Sequence, residues 1–193
     1  MLSICIPIYN QNITQLVNDL HSQAESLNTD FEILLIDDCS PALEIKETNR
    51  KLASLPHTIY KELPKNIGRS AIRNLLAKEA KFDYVIFIDC DAEVCSDTFL
   101  KTYLPECKPN IVCCGGCAYS KTPPSEDKYL RWYIGTKRED RPVSERAKDA
   151  ASQFTAFNLL IDKNLILACP FDERITQYGH EDTLLGIELQ KLN

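Results

Sequence analysis

The stretch YVIFIDCDAE, residues 84–93, decides the reading of the fold. Tyr84 to Ile88 is a short, unbroken apolar run of the kind that forms a strand covered on both faces. It ends abruptly at Asp89, Cys90 and Asp91. The same grammar recurs on the N-terminal side. Leu2 to Ile8 reads as a buried strand broken by Pro7, Phe31 to Ile36 as a second strand running into Asp37, Asp38, Cys39, Ser40 and Pro41, and His57 to Tyr60 as a third. Between them, Ile13, Leu16, Val17 and Leu20 have helical spacing, and a short helical segment is expected around Ala42 to Leu52. Asn66 to Gly68 makes a turn before a helix over Arg69 to Ala80, with Ala71, Leu75 and Leu76 expected on one side. Apolar strands alternating with amphipathic helices predict an α/β fold with a central, mostly parallel sheet and helices on both faces.

The second half is less regular. Ile111 to Ala118 is expected to be a strand interrupted at Gly115-Gly116, where the backbone can bend or lie close to a ligand. Tyr119 to Ala150 is a charged, proline-containing excursion with room for one helix. Phe154 to Ile161 is apolar again, Pro170 to Asp172 reads as a turn, and Glu181 to Leu192 can form a final helix. There is no internal repeat, low-complexity tract or domain linker. One continuous domain over 1–193 is therefore expected, with its second half elaborating the first.

Composition narrows the function. The chain has 193 residues with 22 Lys plus Arg against 28 Asp plus Glu, and this acidic balance offers no general attraction to DNA or RNA, so no nucleic-acid partner is expected. No run approaches the roughly 18 apolar residues of a membrane helix. The start, MLSICIPIYNQ, lacks the basic-then-apolar pattern of a secretion signal. The default expectation is a cytoplasmic protein with no integral membrane segment, whose peripheral association with the inner membrane face is compatible with the sequence. Nine cysteines, an odd number without a signal, point to reduced thiols rather than a disulfide framework.

In open parallel sheets, ligands gather beyond the C-terminal strand ends. Both acidic pairs, Asp37/Asp38 and Asp89/Asp91, fall there. Asp89 and Asp91 are two residues apart and could approach one divalent ion if the strand end curls, oxygen ligands suiting Mn2+ or Mg2+ when a diphosphate completes the shell. Equally, they could be caps and surface charges. Asp37 and Asp38 could divide between a ribose or base contact and the amides of their own turn. Glu181 and Asp182 could cap the positive end of a helix, or one could be a general base that deprotonates a hydroxyl.

Taken together, SICIPIYNQ, LLIDDCS, NIGRSAIRN, VIFIDCDAE and FDERITQYGHEDTLLGIEL, in that order along nearly the whole chain, closely resemble the inverting family 2 glycosyltransferases of GT-A fold. The last segment looks most like the chondroitin-polymerase and polypeptide-sugar-transferase branch. The resemblance implies a donor-binding half over 1–92 and an acceptor and catalytic half over 93–193. It implies that Pro7 and Tyr9 border the nucleotide pocket, that Asp38 contacts base or ribose with Asp37 supporting the turn, and that Asn66, Gly68 and Arg73 shape the nucleotide site, with Arg73 beside the diphosphate. Asp89 would lie near ribose and metal, Asp91 would be the more direct metal ligand, Asp182 the catalytic base and Glu181 an acceptor contact. Family members commonly continue past the helix begun at Glu181, so a domain truncated on its acceptor side is expected. A UDP-sugar donor and a glycan or glycoconjugate acceptor follow from the family.

Gly115 and Gly116 stand where the family brings backbone close to a sugar, His180 and Trp132 could contact acceptor, and Cys114-Gly-Gly-Cys117 lacks the second pair that a zinc ribbon needs. Trp132 could equally pack its own polar loop onto the domain. Two alternative functions remain open: a noncatalytic nucleotide-sugar-binding fragment or interaction domain, which would bind donor without turnover, and a related sugar-phosphate nucleotidyltransferase, which would make a nucleotide sugar from nucleoside triphosphate and sugar phosphate.

Overall fold

The structure is a computed structural model and describes residues 1–151, 153–177 and 179–192. The N-terminal half runs β1 (Leu2–Ile8), α1 (Thr14–Ser26), β2 (Phe31–Asp37), α2 (Leu43–Arg50), β3 (Thr58–Glu62), α3 (Arg69–Glu79) and β4 (Tyr84–Ile88). It continues through α4 (Phe99–Tyr103), β5 (Val112–Cys114), α5 (Glu126–Arg138), α6 (Val143–Arg146), β6 (Asn158–Asp162), α7 (Lys163–Ala168) and α8 (Glu181–Gln190). The six strands form one sheet in the order β3-β2-β1-β4-β6-β5, so both halves of the chain contribute to it. β1 to β4 are parallel and β6 runs antiparallel to both its neighbours, which makes the sheet mixed but mostly parallel.

Alternation along β1 sorts the core onto two faces. Leu2, Ile4, Ile6 and Ile8 pack with Leu16, Val17 and Leu20 of α1 and Leu100 of α4. Cys5 points the other way, toward Ile72 and Leu76 of α3, Ile166 of α7 and Leu185 and Leu189 of α8. The expected helices on both faces of the sheet are thus present.

Pro7 does not break β1, and the hydrogen-bond direction explains why. The Ile8 carbonyl accepts from Asp38 and the Leu2 amide donates to Asp30, so even positions of β1 bond toward β2. Pro7 therefore faces β4, whose pairing with β1 ends at Cys5, and its missing N–H falls where no strand needs it. α3 is also rotated from the expected face: Ile72, Arg73, Leu76 and Ala77 are buried, while Ala71 and Leu75 are half-buried. The expected strand over 111–118 shrinks to Val112–Cys114 because the chain turns at Gly115-Gly116, where Gly116 has φ of 77°. The charged excursion holds two helices, α5 and α6, rather than one. All nine cysteines are free thiols. Among the described residues no helix is long and apolar enough to cross a membrane.

Candidate active site

The sheet order reverses between β1 and β4: the chain moves from β1 outward to β3, then returns through α3 to the opposite side of β1. The C-terminal ends of β1 and β4 thus form a topological switch point, the usual ligand crevice of an open α/β sheet. Tyr9 is exposed there and Pro7 is half-buried just inside it.

Asp37 and Asp38 leave the end of β2 buried, each already bonded. Asp37 accepts from the Ser40 amide at 2.6 Å and from the Tyr60 hydroxyl at 3.3 Å, which fixes the turn. Asp38 accepts from the amides of Ile67 at 2.7 Å and Gly68 at 3.0 Å, and its carbonyl accepts from the Asn66 side chain. A carboxylate at these amides satisfies unpaired N–H groups ahead of α3 and complements its positive end. Gly68 takes φ of 87° as the residue preceding α3, a conformation that suits glycine.

From the first two turns of α3, Arg69 and Arg73 reach toward β4. Arg73 is 2% exposed, and its Nη2 donates to Asp89 Oδ1 at 2.5 Å. Arg69 is half-exposed. Its Nη2 lies 3.9 Å from Asp89 Oδ2, and its Nε donates to Glu181 Oε1 at 2.6 Å. Asp91, two residues beyond Asp89, is exposed and makes no hydrogen bond or ion pair to the described residues. Cys90 between them packs toward the α1 side of the core, and burial pushes its thiol pKa up.

α8 brings the last two carboxylates to this crevice. Burial works against ionisation of Glu181, but the Arg69 hydrogen bond and the amide at its own position outweigh it and hold the carboxyl below its ordinary range. Asp182 behaves in the opposite way. Its Oδ2 accepts from the Ala156 amide at 3.0 Å and the Thr155 hydroxyl at 3.4 Å, whereas its buried Oδ1 has no partner. Burial lifts its pKa above the ordinary range despite the Ala156 amide and the Arg73 charge. A carboxylate with a raised pKa and one uncommitted oxygen can accept a proton from a bound hydroxyl.

Other sequence-predicted residues are placed differently. The glycine pair serves internal packing: a Cβ on Gly115 would lie 1.9 Å from the Tyr103 hydroxyl and 2.4 Å from the Asn158 amide, and one on Gly116 would meet the Arg146 guanidinium. Arg146 donates to the carbonyls of Cys114 and Gly115. Gly115→Ala is expected to force Tyr103 and Asn158 apart, breaking their 2.7 Å hydrogen bond. Urea unfolding should show a loss of about 1–3 kcal/mol, the usual cost of overpacking. The Trp132 indole donates to the Ser120 carbonyl and so packs its own loop. His180 is exposed in a left-handed conformation (φ of 70°) immediately before α8.

Sequence reasoning missed Arg69, Thr155 and Ala156. A cation opening a helix, against its dipole, was the available signal for Arg69. Nothing in the sequence marks the other two, since one acts through its backbone. A cleft of about 580 Å3 opens behind α3, lined by Asn74, Leu167, Phe171 and Leu184, but it contains none of Asp38, Asp89, Asp91 or Asp182. Asp89 and Glu181 meet instead at the switch point, through Arg69.

Among the described residues no cluster of three or more ligating side chains exists. Asp91 is available, and Asp89 is balanced by Arg73. This donor set fits a hard divalent cation whose remaining oxygens come from a diphosphate.

The chain is similar to known proteins along most of its length. The profile of glycosyl transferase family 2 matches residues 3–165. The poly(ribitol-phosphate) beta-N-acetylglucosaminyltransferase TarS of Staphylococcus aureus is 34% identical over 101 residues, covering 50% of this chain and 17% of its own length. An uncharacterized glycosyltransferase of Haemophilus influenzae is 32% identical over 91 residues, covering 47% of this chain and 29% of its own. These matches thus take in less than a third of either relative. The crystal structure of S. aureus TarS 1-349 in complex with UDP-GlcNAc superimposes with a TM-score of 0.65 at 22% identity, over 97% of this chain and 52% of that one. Mannosyltransferase PcManGT from Pyrobaculum calidifontis, in complex with GDP-Man and Mn2+, gives 0.63 at 15% identity, over 97% and 51%. At these identities the two structures speak for the GT-A fold alone.

Proposed function

Since the chain belongs to glycosyl transferase family 2, we propose that it moves a sugar from a nucleoside-diphospho-sugar to a hydroxyl of a glycan or glycoconjugate. The observation that carries this reading is the meeting of donor-side and base-side carboxylates at one switch point, with Asp89 and Glu181 both within reach of the Arg69 side chain. Residues 1–92 supply the donor crevice and α8, from the second half, supplies the base. The acceptor hydroxyl gives its proton to Asp182, and its oxygen attacks the anomeric carbon. The bond to the diphosphate breaks on the opposite side, and the leaving group departs with the electron pair. One displacement inverts the anomeric configuration and needs no protein nucleophile.

Asp91, with Asp89 behind it, would hold Mn2+ or Mg2+. When bound, the cation neutralises negative charge on the leaving diphosphate. Asp38 and Asn66 hold the loop ahead of α3 that forms one wall of the donor crevice, and Tyr9 lies open at the other wall. UDP is the proposed nucleotide, that of the donor which the family resemblance implies; S. aureus TarS, 34% identical over 101 residues, is the relative whose structure holds UDP-GlcNAc. The branch resemblance of the last segment and the poly(ribitol-phosphate) named for TarS point to different acceptors, and both belong to the class proposed here.

The test is calorimetric titration of the wild-type chain with UDP, UDP-GlcNAc, UDP-glucose and GDP-mannose, in Mn2+ and in chelator. UDP and at least one UDP-sugar should bind in Mn2+ with Kd of ~1 μM–1 mM, the range over which enzyme KM values usually fall. GDP-mannose should bind more weakly. Folded protein that binds none of them overturns the reading. Binding with no turnover against any glycan acceptor would instead support a noncatalytic binding domain.

A further inference from the structure

Arg69 occupies an electrostatically awkward place. It is the first residue of α3, where the helix dipole is positive and a cation is disfavoured. Its guanidinium nonetheless has two acidic destinations on different parts of the chain: Nε donates to Glu181 Oε1 at 2.6 Å, and Nη2 lies 3.9 Å from Asp89 Oδ2. Glu181 is buried at the first turn of α8, where its other oxygen accepts from the Gly179 amide at 3.2 Å. The neighbouring residue is Asp182. Among the ion pairs of the described residues, Arg69–Glu181 is the link that joins α8 to residues 1–92.

Arg73 lies beneath and does a different job. It is buried, and it donates to Asp89 and to the carbonyl of Arg69, so it anchors the strand end to α3, and among the described residues its hydrogen bonds and ion pairs do not reach α8. Arg69, with its side chain 44% exposed, spans the mouth of the crevice instead. The arginine end of the pair is open to solvent but Glu181 is 5% exposed, so losing Arg69 leaves a buried carboxylate without its cation. The pair also fixes a distance.

We propose that Arg69 is a positioning residue that sets the separation between the donor-side carboxylate Asp89 and the base Asp182 by clamping Glu181. The proposal rests on the glycosyltransferase reading. A donor bound at the Asp89 end presents its anomeric carbon to a hydroxyl held at Asp182, and misplacement of the base by about 1 Å is enough to lose ~100-fold in rate. Arg69 acts through Glu181 and touches no reacting atom.

The experiment compares wild type with Arg69→Gln, Arg69→Lys, Glu181→Gln and the double variant Arg69→Gln/Glu181→Gln. Three readouts are taken: UDP affinity in Mn2+, the rate of UDP release from UDP-GlcNAc with water as acceptor, and hydrogen exchange of the first-turn amides of α8. Arg69→Gln is expected to lower kcat ~10–100-fold while UDP affinity changes by less than ~3-fold. Exchange at the start of α8 should speed up, and Arg69→Lys should recover part of both effects. The double variant should be no worse than the poorer single variant, because both remove one contact. UDP affinity falling in step with kcat would overturn the proposal and make Arg69 a donor ligand. Unchanged kcat and exchange would overturn it outright, and where water turnover is too slow to measure, the exchange result alone decides. A wild-type chain that binds no UDP would overturn the functional reading itself, and the positioning role with it.

Discussion

Asp182→Asn is expected to abolish turnover, with kcat falling by ~100- to 10,000-fold, the range supplied by a positioned general base. UDP affinity should stay close to wild type because Asp182 binds Ala156 and Thr155 rather than the donor wall. The same residue sets the pH profile. The charged form is required as base, so turnover rises with pH as Asp182 deprotonates. Burial lifts its pKa, which places this acid limb above that of an exposed aspartate. The sign for stability is the reverse: an aspartate whose folded pKa is raised contributes stability below its unfolded pKa, and this is lost as pH rises through the folded pKa. Above the folded pKa the charge on Asp182 therefore works against the fold. Asp182→Asn keeps an acceptor for the Ala156 amide and removes the charge, so its melting temperature is expected not to fall. An inactive but equally stable variant is the signature of a residue kept for chemistry. Equal loss of kcat and of melting temperature would assign Asp182 a structural role instead.

The second large effect separates two carboxylates that look alike in sequence. Asp91→Ala is expected to remove the Mn2+-dependent part of UDP binding, weakening it by ~10–100-fold toward the value in chelator. Its unfolding curve should match wild type, because the exposed Asp91 has no partner among the described residues. Asp89→Ala should behave otherwise. It strips the carboxylate from Arg73, which is 2% exposed, and leaves a buried guanidinium without its ion pair. Breaking a buried pair from one side costs about 3–5 kcal/mol. Urea unfolding with and without Mn2+ distinguishes the two: Asp91→Ala shifts the midpoint only when metal and UDP are present, and Asp89→Ala shifts it always. Identical unfolding midpoints for both variants would remove this distinction.

The parts of this fold that were legible in sequence are those written as continuous apolar runs ending in acid. β1, β2 and β4 are buried on both faces and have no solvent-facing side to interrupt the pattern, so their limits are sharp. Strand direction is not encoded in periodicity, and the antiparallel course of β6 was accordingly invisible. The acid pairs at strand ends were equally visible, but not their division of labour. The pair Asp37 and Asp38 reads from sequence as divided between a donor contact and turn amides, and both in fact accept backbone amides, while Asp91 makes no bond among the described residues. Arg69 stands within the quoted motif as the start of a helix. Its meaning depends on Glu181, 112 positions away, and a local reading does not reach so far.

The antiparallel strand also bears on how the chain folds. β4 is paired with β1 on one side as soon as residues 1–88 are together, but its other edge is closed only by β6, where Tyr84 meets Asp162. During synthesis the ribosome delivers the N-terminal strands first and the whole charged excursion before the covering strand arrives. For that interval Val85, Ile86 and Phe87 border an open row of unpaired amides and carbonyls, the template on which strands of other molecules assemble. The slow step of folding is expected to be the docking of β6, delayed by closure of a long loop. Chaperone dependence and inclusion-body formation should accordingly track changes that slow this docking, including substitutions in the excursion far from any catalytic group.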